Sequence, residues 1–370
     1  MATPLFLAIH LDGEGAHPAA WRAANHPPTA LLTGKRIARI VTQAETAGFS
    51  IATFGGGHLP PGSAPNITAR LDPVHQAAFA GPLTSRIGLV PEVQATFVEP
   101  FHTANQLSSI DHSSRGRGGW IITADGSAAA ARTYGAGAID DPDALRREAH
   151  DVLEVSRLLW DSWEDDAVIR DTTTWRYVDR DKLHYADFKG ETFSVKGPSF
   201  VPRPPQGQLV VFGESDLVDP REVEVTIVHA PDLAGLKAAA QDAHVNGATR
   251  VSADLEVILD SRGVPAAERL QRLNAHAVWE QGANARLIGT ADELIAAIGE
   301  LADAVDIVRL IPAVIDTDLQ ELQFAVLRPL LRDGIITAPL AGATLRETLG
   351  LEHPANRFMA VAQEERSRNV

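Results

Sequence analysis

The chain has 370 residues, of which 45% are hydrophobic, and its formal net charge at pH 7 is −15. Most chains of this length divide into more than one domain, but an α/β barrel of this length can form a single domain. The sequence has no block of Lys and Arg, so nucleic acids and anionic membranes are excluded as partners. The absence of cysteine excludes disulfides, thiolate metal sites and cysteine nucleophiles.

The N-terminal residues do not resemble an export signal. An apolar run at 5–9 has no basic flank, and Asp12 and Glu14 follow it directly. No stretch reaches the roughly 18 uninterrupted apolar residues that a membrane-spanning helix needs. We therefore predict a soluble protein of the cytoplasm.

Strand-like and helix-like patterns alternate along the chain. Eight short, almost continuously apolar runs are typical of strands buried on both faces, and they lie at 4–11, 50–54, 87–93, 120–123, 209–212, 223–229, 251–259 and 307–311. Segments of helical periodicity lie between or after them, at 34–48, 73–82, 99–111, 142–163, 233–246, 266–281, 291–304 and 319–333.

This alternation predicts an α/β fold with a parallel sheet, either a barrel or a doubly wound sheet. We favour a (β/α)₈ TIM barrel because the runs number eight. In addition, His10-Leu-Asp-Gly13 after the first run lacks the glycine spacing of a dinucleotide-binding turn. The prediction is one barrel domain over residues 1–370.

Two regions interrupt the alternation. Residues 161–207, before the fifth strand, are polar but rich in aromatics and end in Val201-Pro-Arg-Pro-Pro-Gln-Gly207. A long segment with this aromatic content indicates an ordered insertion, and we expect it to form a lid over the carboxyl-terminal mouth of the barrel. Residues 339–370 are interpreted as a C-terminal arm.

Several motifs in a fixed order resemble the nitrilotriacetate and dibenzothiophene-sulfone branch of the bacterial-luciferase-like monooxygenases. They are Glu99-Pro-Phe-His102, Ile110-Asp-His112, Gly116-Arg-Gly-Gly-Trp120, Leu159-Trp-Asp-Ser-Trp-Glu-Asp-Asp166, Asp181-Lys-Leu-His184, Gly190-Glu-Thr-Phe-Ser-Val-Lys-Gly-Pro198, the proline-rich end of the insertion, Thr344-Leu-Arg-Glu-Thr-Leu-Gly-Leu351 and Pro354-Ala-Asn-Arg357. Each motif alone is weak, but together they span nearly the whole chain.

The resemblance implies a (β/α)₈ barrel with a long insertion near the active site. It also implies a two-component enzyme in which a separate flavin reductase supplies reduced FMN, and the enzyme oxidises a small organic substrate with O₂. The deazaflavin F420, used elsewhere in the superfamily, is the less favoured cofactor. We expect the protein to form a homodimer or a homotetramer.

Several positions depart from the family pattern where the flavin is held. After the second strand, Gly56 replaces an aspartate that lies beside the flavin ring in the family. After Gly119-Trp120, Ile121 replaces an asparagine that hydrogen-bonds the ring, and isoleucine can donate nothing. A family tyrosine near the start of the next helix aligns with Arg146.

The phosphate-binding turn also differs. In the family, a Ser-Pro-x-Gly-Arg-Glu turn opens a helix whose amides hold the phosphate. Here Ser215 lies in a shorter turn with Glu214, Asp216 and Asp219, which would repel a phosphate, and a strand-like run follows instead of a helix. Thr96, after the third strand, is retained.

These departures predict weaker FMN binding than the family shows. They leave two interpretations open. The chain is either a monooxygenase that grips flavin weakly or differently, or a flavin-free barrel that serves as a partner subunit or ligand-binding protein.

Other polar residues are candidates for the site. His17, Trp21, His102 and His184 lie in family-like segments and are the candidates for the substrate pocket. The histidines, among them His58, show no pair with metal-ligand spacing and a carboxylate partner, so we predict no metal site. The sequence does not identify the catalytic residues.

Overall fold

The structure is a computed structural model that describes residues 5–57 and 70–359. Its strands in chain order are β1 Phe6–Leu11, β2 Ile51–Phe54, β3 Gly88–Gln94, β4 Gly119–Thr123, β5 Val168–Asp171, β6 Arg176–Val178, β7 Phe188–Lys189, β8 Ser194–Val195, β9 Val210–Glu214, β10 Val225–Val228, β11 Val251–Leu259, β12 Ala285–Gly289 and β13 Ile307–Pro312. Its α-helices are α1 Gly34–Ala47, α2 Pro73–Ala80, α3 Pro100–Ser114, α4 Ala128–Tyr134, α5 Pro142–Asp161, α6 Leu233–Val245, α7 Ala266–Asn274, α8 Ala291–Leu301, α9 Ile315–Glu321, α10 Arg328–Arg332 and α11 Leu345–Thr348.

Eight of these strands close into a parallel barrel. They follow one another around the ring in the order β1, β2, β3, β4, β9, β10, β11 and β13, and β13 pairs with β1. The closing pair places Phe6 beside Ile307 and Ile9 beside Leu310. The eight strands match the eight runs expected from the sequence, which confirms the (β/α)₈ barrel, although Pro4 of the first run lies outside the described residues.

The outer layer of helices has one gap. Helices follow the other strands of the ring, but residues 215–224 run from β9 to β10 without forming a helix. The strand-like run after Ser215 is β10 itself, so the absence of a helix here is confirmed. The helical layer is therefore interrupted between α5 and α6, where this loop takes the place of a helix.

The sequence did not predict some of the strands. β12 pairs with the second half of β11, outside the closed ring. β5 pairs with β6, and β7 pairs with β8, as two small antiparallel hairpins within residues 161–207. The insertion is therefore ordered, as its aromatic content indicates.

The contacts of the insertion lie on the outer helices, so its expected position over the mouth stays a prediction. Its apolar residues, including Val195, pack with Ala104 of α3 and Leu159 of α5 on the outside of the barrel. Its polar residues bind the same helices and the C-terminal arm: Ser199 Oγ donates to Asn105 of α3 at 2.7 Å. Among the described residues, the segment thus covers the two outer helices α3 and α5. Its aromatic side chains are explained by this apolar packing.

The C-terminal arm closes the amino-terminal end of the barrel. Leu345 and Leu349 are buried among the inward-facing residues of the strands. Gly88 and Gly119 leave space for Leu345, because a Cβ atom at Gly88 would lie 2.7 Å from its Cδ1 and one at Gly119 would lie 3.1 Å from its Cδ2. Residues 360–370, the end of the expected arm, lie outside the described residues.

None of the helices within 5–57 and 70–359 combines the length and the apolar character that crossing a bilayer requires.

Candidate active site at the carboxyl end of the barrel

Alternate residues of each strand face the barrel interior, so each strand presents a polar side chain two positions above the apolar layer. Six inward-facing charged or histidine side chains at the carboxyl ends of the strands form what we call the mouth cluster: His10, Glu92, Glu214, His229, Asp254 and Arg309. This end is where the loops of TIM-barrel enzymes build their active sites. The mouth cluster is therefore the starting point for the site.

Arg309 is the centre of the mouth cluster. Its Nε and Nη2 atoms donate to the two carboxylate oxygens of Asp254, at 2.7 and 2.5 Å, and its Nη1 donates to Glu92 at 3.1 Å. Arg309 and Asp254 are 9% and 1% exposed. Burial would lower the pKa of Arg309, but the two carboxylates outweigh it and raise that pKa. The guanidinium thus ties β3, β11 and β13 together across the barrel.

His229 is a second cation in the mouth cluster. Its Nε2 lies 3.0 Å from Glu214 Oε1, its Nδ1 lies 2.8 Å from Asn284 Oδ1, and Asp254 is 3.6 Å away. Burial acts to lower the pKa of His229, but the Glu214 and Asp254 carboxylates raise it to about 9. The hydrogen bond from His229 in turn lowers the pKa of Glu214. At neutral pH, His229 is therefore protonated, with both ring N–H groups engaged.

The charge of His229 predicts a pH-dependent stability. Because the folded-state pKa of about 9 lies above the ordinary value of 6.5, the stabilisation is complete below pH 6.5 and is lost as the pH rises through 9. Each pKa unit is worth about 1.4 kcal/mol, so the contribution is on the order of 3 kcal/mol. We expect His229→Gln to reduce the free energy of unfolding most at pH 6 and least near pH 10, as measured by urea denaturation.

The matched control for this prediction is His75→Gln. The His75 side chain is 75% exposed beside Asp72, so its replacement should change the unfolding free energy by less than about 0.5 kcal/mol at each pH. A difference between wild type and His229→Gln that stays constant from pH 6 to pH 10 would contradict a protonated His229.

His10 and Gly56 complete the mouth on the side of β1 and β2. His10 Nδ1 lies 3.0 Å from Thr53 Oγ1 and 3.7 Å from Glu92 Oε1. The Gly56 N–H donates to Glu92 Oε2 at 3.2 Å, and a Cβ atom at Gly56 would lie 2.4 Å from the Glu92 carbonyl oxygen. The structure therefore has no space for the family's aspartate at position 56, and Glu92 is the carboxylate found there.

Thr96 and Ile121, two of the candidate flavin-site residues, make contacts within the protein itself. Thr96 Oγ1 donates to the Asp125 carbonyl oxygen at 3.0 Å and accepts from the Asp125 N–H at 3.1 Å, which links the loops after β3 and β4. Ile121 is 2% exposed and lies between Glu92 and Phe212 in the strand register, within the apolar layer of the interior. Its side chain forms part of the floor beneath the mouth cluster.

Arg146 and Ser215, far apart in sequence, line one cleft. The cleft has a volume of about 1160 Å³ and lies in the gap of the helical layer, where the missing helix would pack. Its lining comes from α5, the insertion, the β9–β10 loop and the end of α6: Arg146, Arg147, His150, Asp151, Lys189, Gly190, Glu191, Ser215, Leu217, Val218, Asp219, Pro220, Arg221, Glu222, Val245, Asn246 and Gly247. Glu214 of the mouth cluster and Ser215 of the cleft are consecutive residues at the end of β9.

The acidic turn is less repulsive to an anion than its sequence indicates. Arg221 Nη2 lies 2.5 Å from Asp219, and its hydrogen bonds lower the pKa of that carboxyl to about 2. Glu214 is paired with His229. Arg146 donates to the Asp216 carbonyl oxygen at 2.7 Å, which fixes the turn against α5. The carboxylates of Glu214 and Asp219 are therefore each compensated by a cation.

The structure does not bring the four predicted substrate-pocket residues together. His17 is buried, with its Nε2 2.9 Å from Asn274 Oδ1, and burial lowers its pKa. Trp21 is 42% exposed, and His102 lies in the first turn of α3, exposed.

His184 lies elsewhere again. It pairs with Glu164 at 2.9 Å and stacks on Phe358 of the C-terminal arm, with ring centroids 4.8 Å apart. Their contacts do not unite these four residues, and their role in a substrate pocket stays a prediction.

Among the residues that the structure describes, one group of side chains has metal-ligand geometry, but arginine already compensates it. Oxygen and nitrogen atoms of Glu14, His26 and Asp316 lie within 4.8 Å of one another. Arg36 donates to Glu14 at 2.6 Å and to Asp316 at 3.0 Å, and it is almost fully buried with them. The guanidinium supplies the positive charge that a metal ion would supply, so we assign no metal to this group.

Comparison with known proteins identifies the family. Residues 14–245, more than half of the chain, match the family described as luciferase-like monooxygenase. N-acetyl-S-(2-succino)cysteine monooxygenase of Bacillus subtilis strain 168 is 34% identical over 206 residues, 55% of this chain and 47% of that protein. Nitrilotriacetate monooxygenase component A of Aminobacter aminovorans is 33% identical over 212 residues, 54% of this chain and 47% of that protein. The chain spans about half the length of these curated relatives.

Solved structures agree on the fold. EDTA monooxygenase from Chelativorans sp. BNC1 is 20% identical with a TM-score of 0.78, over 95% of this chain and 99% of that one. Riboflavin lyase, solved with modified FMN and riboflavin, is 20% identical with a TM-score of 0.82, over 95% of this chain and 97% of that one. At this identity the likeness shows the barrel fold alone. Together with the sequence match, it shows that the chain belongs to the luciferase-like monooxygenase family.

Proposed function

We propose that this chain is the oxygenase component of a two-component monooxygenase, which oxidises a small organic substrate with O₂ and reduced FMN delivered by a flavin reductase. The observation that carries the proposal is the pair of consecutive residues at the end of β9: Glu214 belongs to the mouth cluster, and Ser215 lines the cleft. The mouth cluster offers charged side chains at the carboxyl ends of the strands, and the cleft offers cationic ones. We infer that a ligand with a ring system at the mouth and a phosphate in the cleft would cross this strand end.

The cleft supplies donors for a phosphate in place of a helix N-terminus. Half of the Arg146 side chain and half of the Arg147 side chain are exposed, and both line the cleft with Ser215. A guanidinium matches phosphate geometry well and stays charged at all working pH values. Arg146 is shared with Asp143 at 2.6 Å and Arg147 with Glu191 at 2.8 Å, so we expect a phosphate to bind more weakly here than at a helix N-terminus.

The reduced flavin, when bound, supplies the electrons that activate O₂. The chain's own residues would hold and orient the ligands and exclude water. Arg309 and His229 keep the carboxylates of the mouth in fixed, compensated pairs. Such a preorganised polar wall changes little when a ligand binds, which favours a defined orientation of the substrate. F420 remains the second choice of cofactor.

The experiment is an anaerobic titration with dithionite-reduced FMN, beside one with oxidised FMN, in wild type and Arg146→Ala. Loss of one charge-assisted bond to the phosphate should raise the Kd for reduced FMN about tenfold. The matched control is Arg272→Ala on α7, a side chain that is 64% exposed, and its Kd should equal that of wild type.

Wild type that binds neither form of FMN up to millimolar concentrations would overturn the proposal. That result would favour the flavin-free partner subunit. One relative is itself named as a subunit of a larger enzyme, the pristinamycin IIA synthase of Streptomyces pristinaespiralis, and it is 29% identical over 209 residues. Light scattering of the same sample tests the proposed homodimer or homotetramer.

A further inference from the structure

Gln94 is the last residue of β3 and lies at the rim of the mouth. The inward-facing positions of this strand are Val90, Glu92 and Gln94, because Val90 belongs to the interior apolar layer and Glu92 to the mouth cluster. Gln94 is paired in register with Thr123, the last residue of β4. Its side chain therefore stands one level above Glu92, next to the space that a ligand in the mouth would occupy.

The Gln94 carboxamide has a buried atom without a partner. Within the described residues, Oε1 of Gln94 is buried and receives no hydrogen bond. Four other buried side-chain atoms share this condition: Arg70 Nε, Ser108 Oγ, Thr226 Oγ1 and Thr348 Oγ1. Among the five, Gln94 alone lies on a barrel strand with an inward orientation, since Thr226 alternates with the inward-facing Val225 and Ile227.

The backbone around Gln94 is held firmly on both sides. Glu92, two residues before it, is bound by Arg309 and by the Gly56 N–H. Thr96, two residues after it, exchanges two hydrogen bonds with Asp125. A buried acceptor without a donor is costly, on the order of 1–3 kcal/mol, and such groups call for an explanation such as a ligand. Gln94 therefore has a fixed backbone and a carboxamide oxygen without a donor, and such a side chain is suited to orienting a bound molecule.

We propose that Gln94 binds the pyrimidine edge of the flavin ring, with Oε1 accepting a hydrogen bond from the ring N3–H. This inference rests on the proposed function. A carboxamide presents an acceptor beside a donor, and the pyrimidine part of the isoalloxazine presents an N–H between two carbonyl groups. The two edges are complementary in the way that glutamine is to the edge of adenine. Gln94 is then a positioning residue that sets the orientation of the ring in the mouth.

The test compares FMN with 3-methyl-FMN, which lacks the N3–H, in wild type and Gln94→Met. Methionine keeps the length and volume of glutamine and removes its hydrogen bonds. In wild type, the Kd for 3-methyl-FMN should be about tenfold higher than for FMN, the effect of one hydrogen bond that leaves a buried acceptor unpaired. In Gln94→Met, the Kd for FMN should rise toward that value, and the ratio of the two Kd values should fall to about one.

A stability measurement separates this role from a structural one. Removing an unsatisfied buried acceptor should leave the unfolding midpoint of the ligand-free protein unchanged or higher, while FMN binding weakens. If Gln94 instead made a hydrogen bond that stabilises the fold, its replacement would lower both the unfolding midpoint and the affinity for FMN. Gln94→Leu provides the same comparison if methionine disturbs folding, and Gln241→Leu, exposed on α6, is the control that should keep the wild-type ratio.

The possible outcomes are distinct. A ratio that stays at its wild-type value in Gln94→Met and Gln94→Leu overturns the role of Gln94 while the proposed function stands. Wild type that binds no FMN overturns both. A ratio near one in both variants, with Gln241→Leu unchanged, supports Gln94 as the residue that orients the ring.

Discussion

Replacing Arg309 with methionine is expected to lower the free energy of unfolding by about 3–5 kcal/mol, because it strands two carboxylates inside the barrel. Asp254 is 1% exposed and would lose both of its hydrogen bonds to the guanidinium, and Glu92 would lose a third. His229, 3.6 Å from Asp254, compensates that carboxylate only in part, so a large share of its desolvation cost remains. Urea denaturation at pH 7 measures the loss.

Two comparisons test this explanation. Arg332→Met removes an exposed pair with Asp333, whose side chains are 74% and 49% exposed, and it should cost less than about 1 kcal/mol. The double variant Arg309→Met with Asp254→Leu removes one of the stranded charges and should recover part of the loss. Equal losses in the two single variants would show that the cost does not come from buried charge.

Truncating Leu345 to alanine is expected to destabilise the fold by about 3–5 kcal/mol. The side chain is 1% exposed and lies against Gly88 and Gly119 inside the amino-terminal end of the barrel. Because both contact positions are glycines without side chains that could shift inward, the cavity should collapse poorly. Thermal and urea unfolding of the variant measure the effect.

Leu340→Ala is the matched control in the same arm. Leu340 is 75% exposed, so its truncation should change the unfolding free energy by no more than about 0.5 kcal/mol. If Leu345→Ala were equally mild, the arm would not be part of the core. Activity is a secondary measurement, since Leu345 lies at the opposite end of the barrel from the mouth cluster.

The barrel was predictable because its strands carry a strong local signal. Strands buried on both faces must be apolar at nearly every position, as Ile307–Pro312 and Val251–Leu259 are. β12 was missed because its five residues, Ala285–Gly289, mix apolar and charged side chains and lie outside the ring, where Ile288 is 44% exposed. A half-exposed strand this short has no distinctive periodicity.

The site was predictable only in part. Alignment to the family placed Arg146 and Ser215 in one site, and both line the cleft. The mouth cluster was missed, although a charge such as Asp254 or Arg309 within an apolar strand was a visible signal. Which charges meet depends on strand register, and register arises from the closure of the whole ring.

The closure of the barrel also constrains how the protein can be made. β1 is the first of the barrel strands to be synthesised, but one of its two neighbours in the ring is β13. The helix α11, which fills the amino-terminal end of the barrel, is synthesised after β13. Until β13 and α11 have been synthesised, one edge of β1 is unpaired and part of the apolar interior is uncovered. Incomplete chains of this kind display unpaired edges and apolar surface and are prone to aggregate. The ring can therefore form only after β13 has been synthesised, and a chaperone that shields the edge of β1 until then would reduce aggregation.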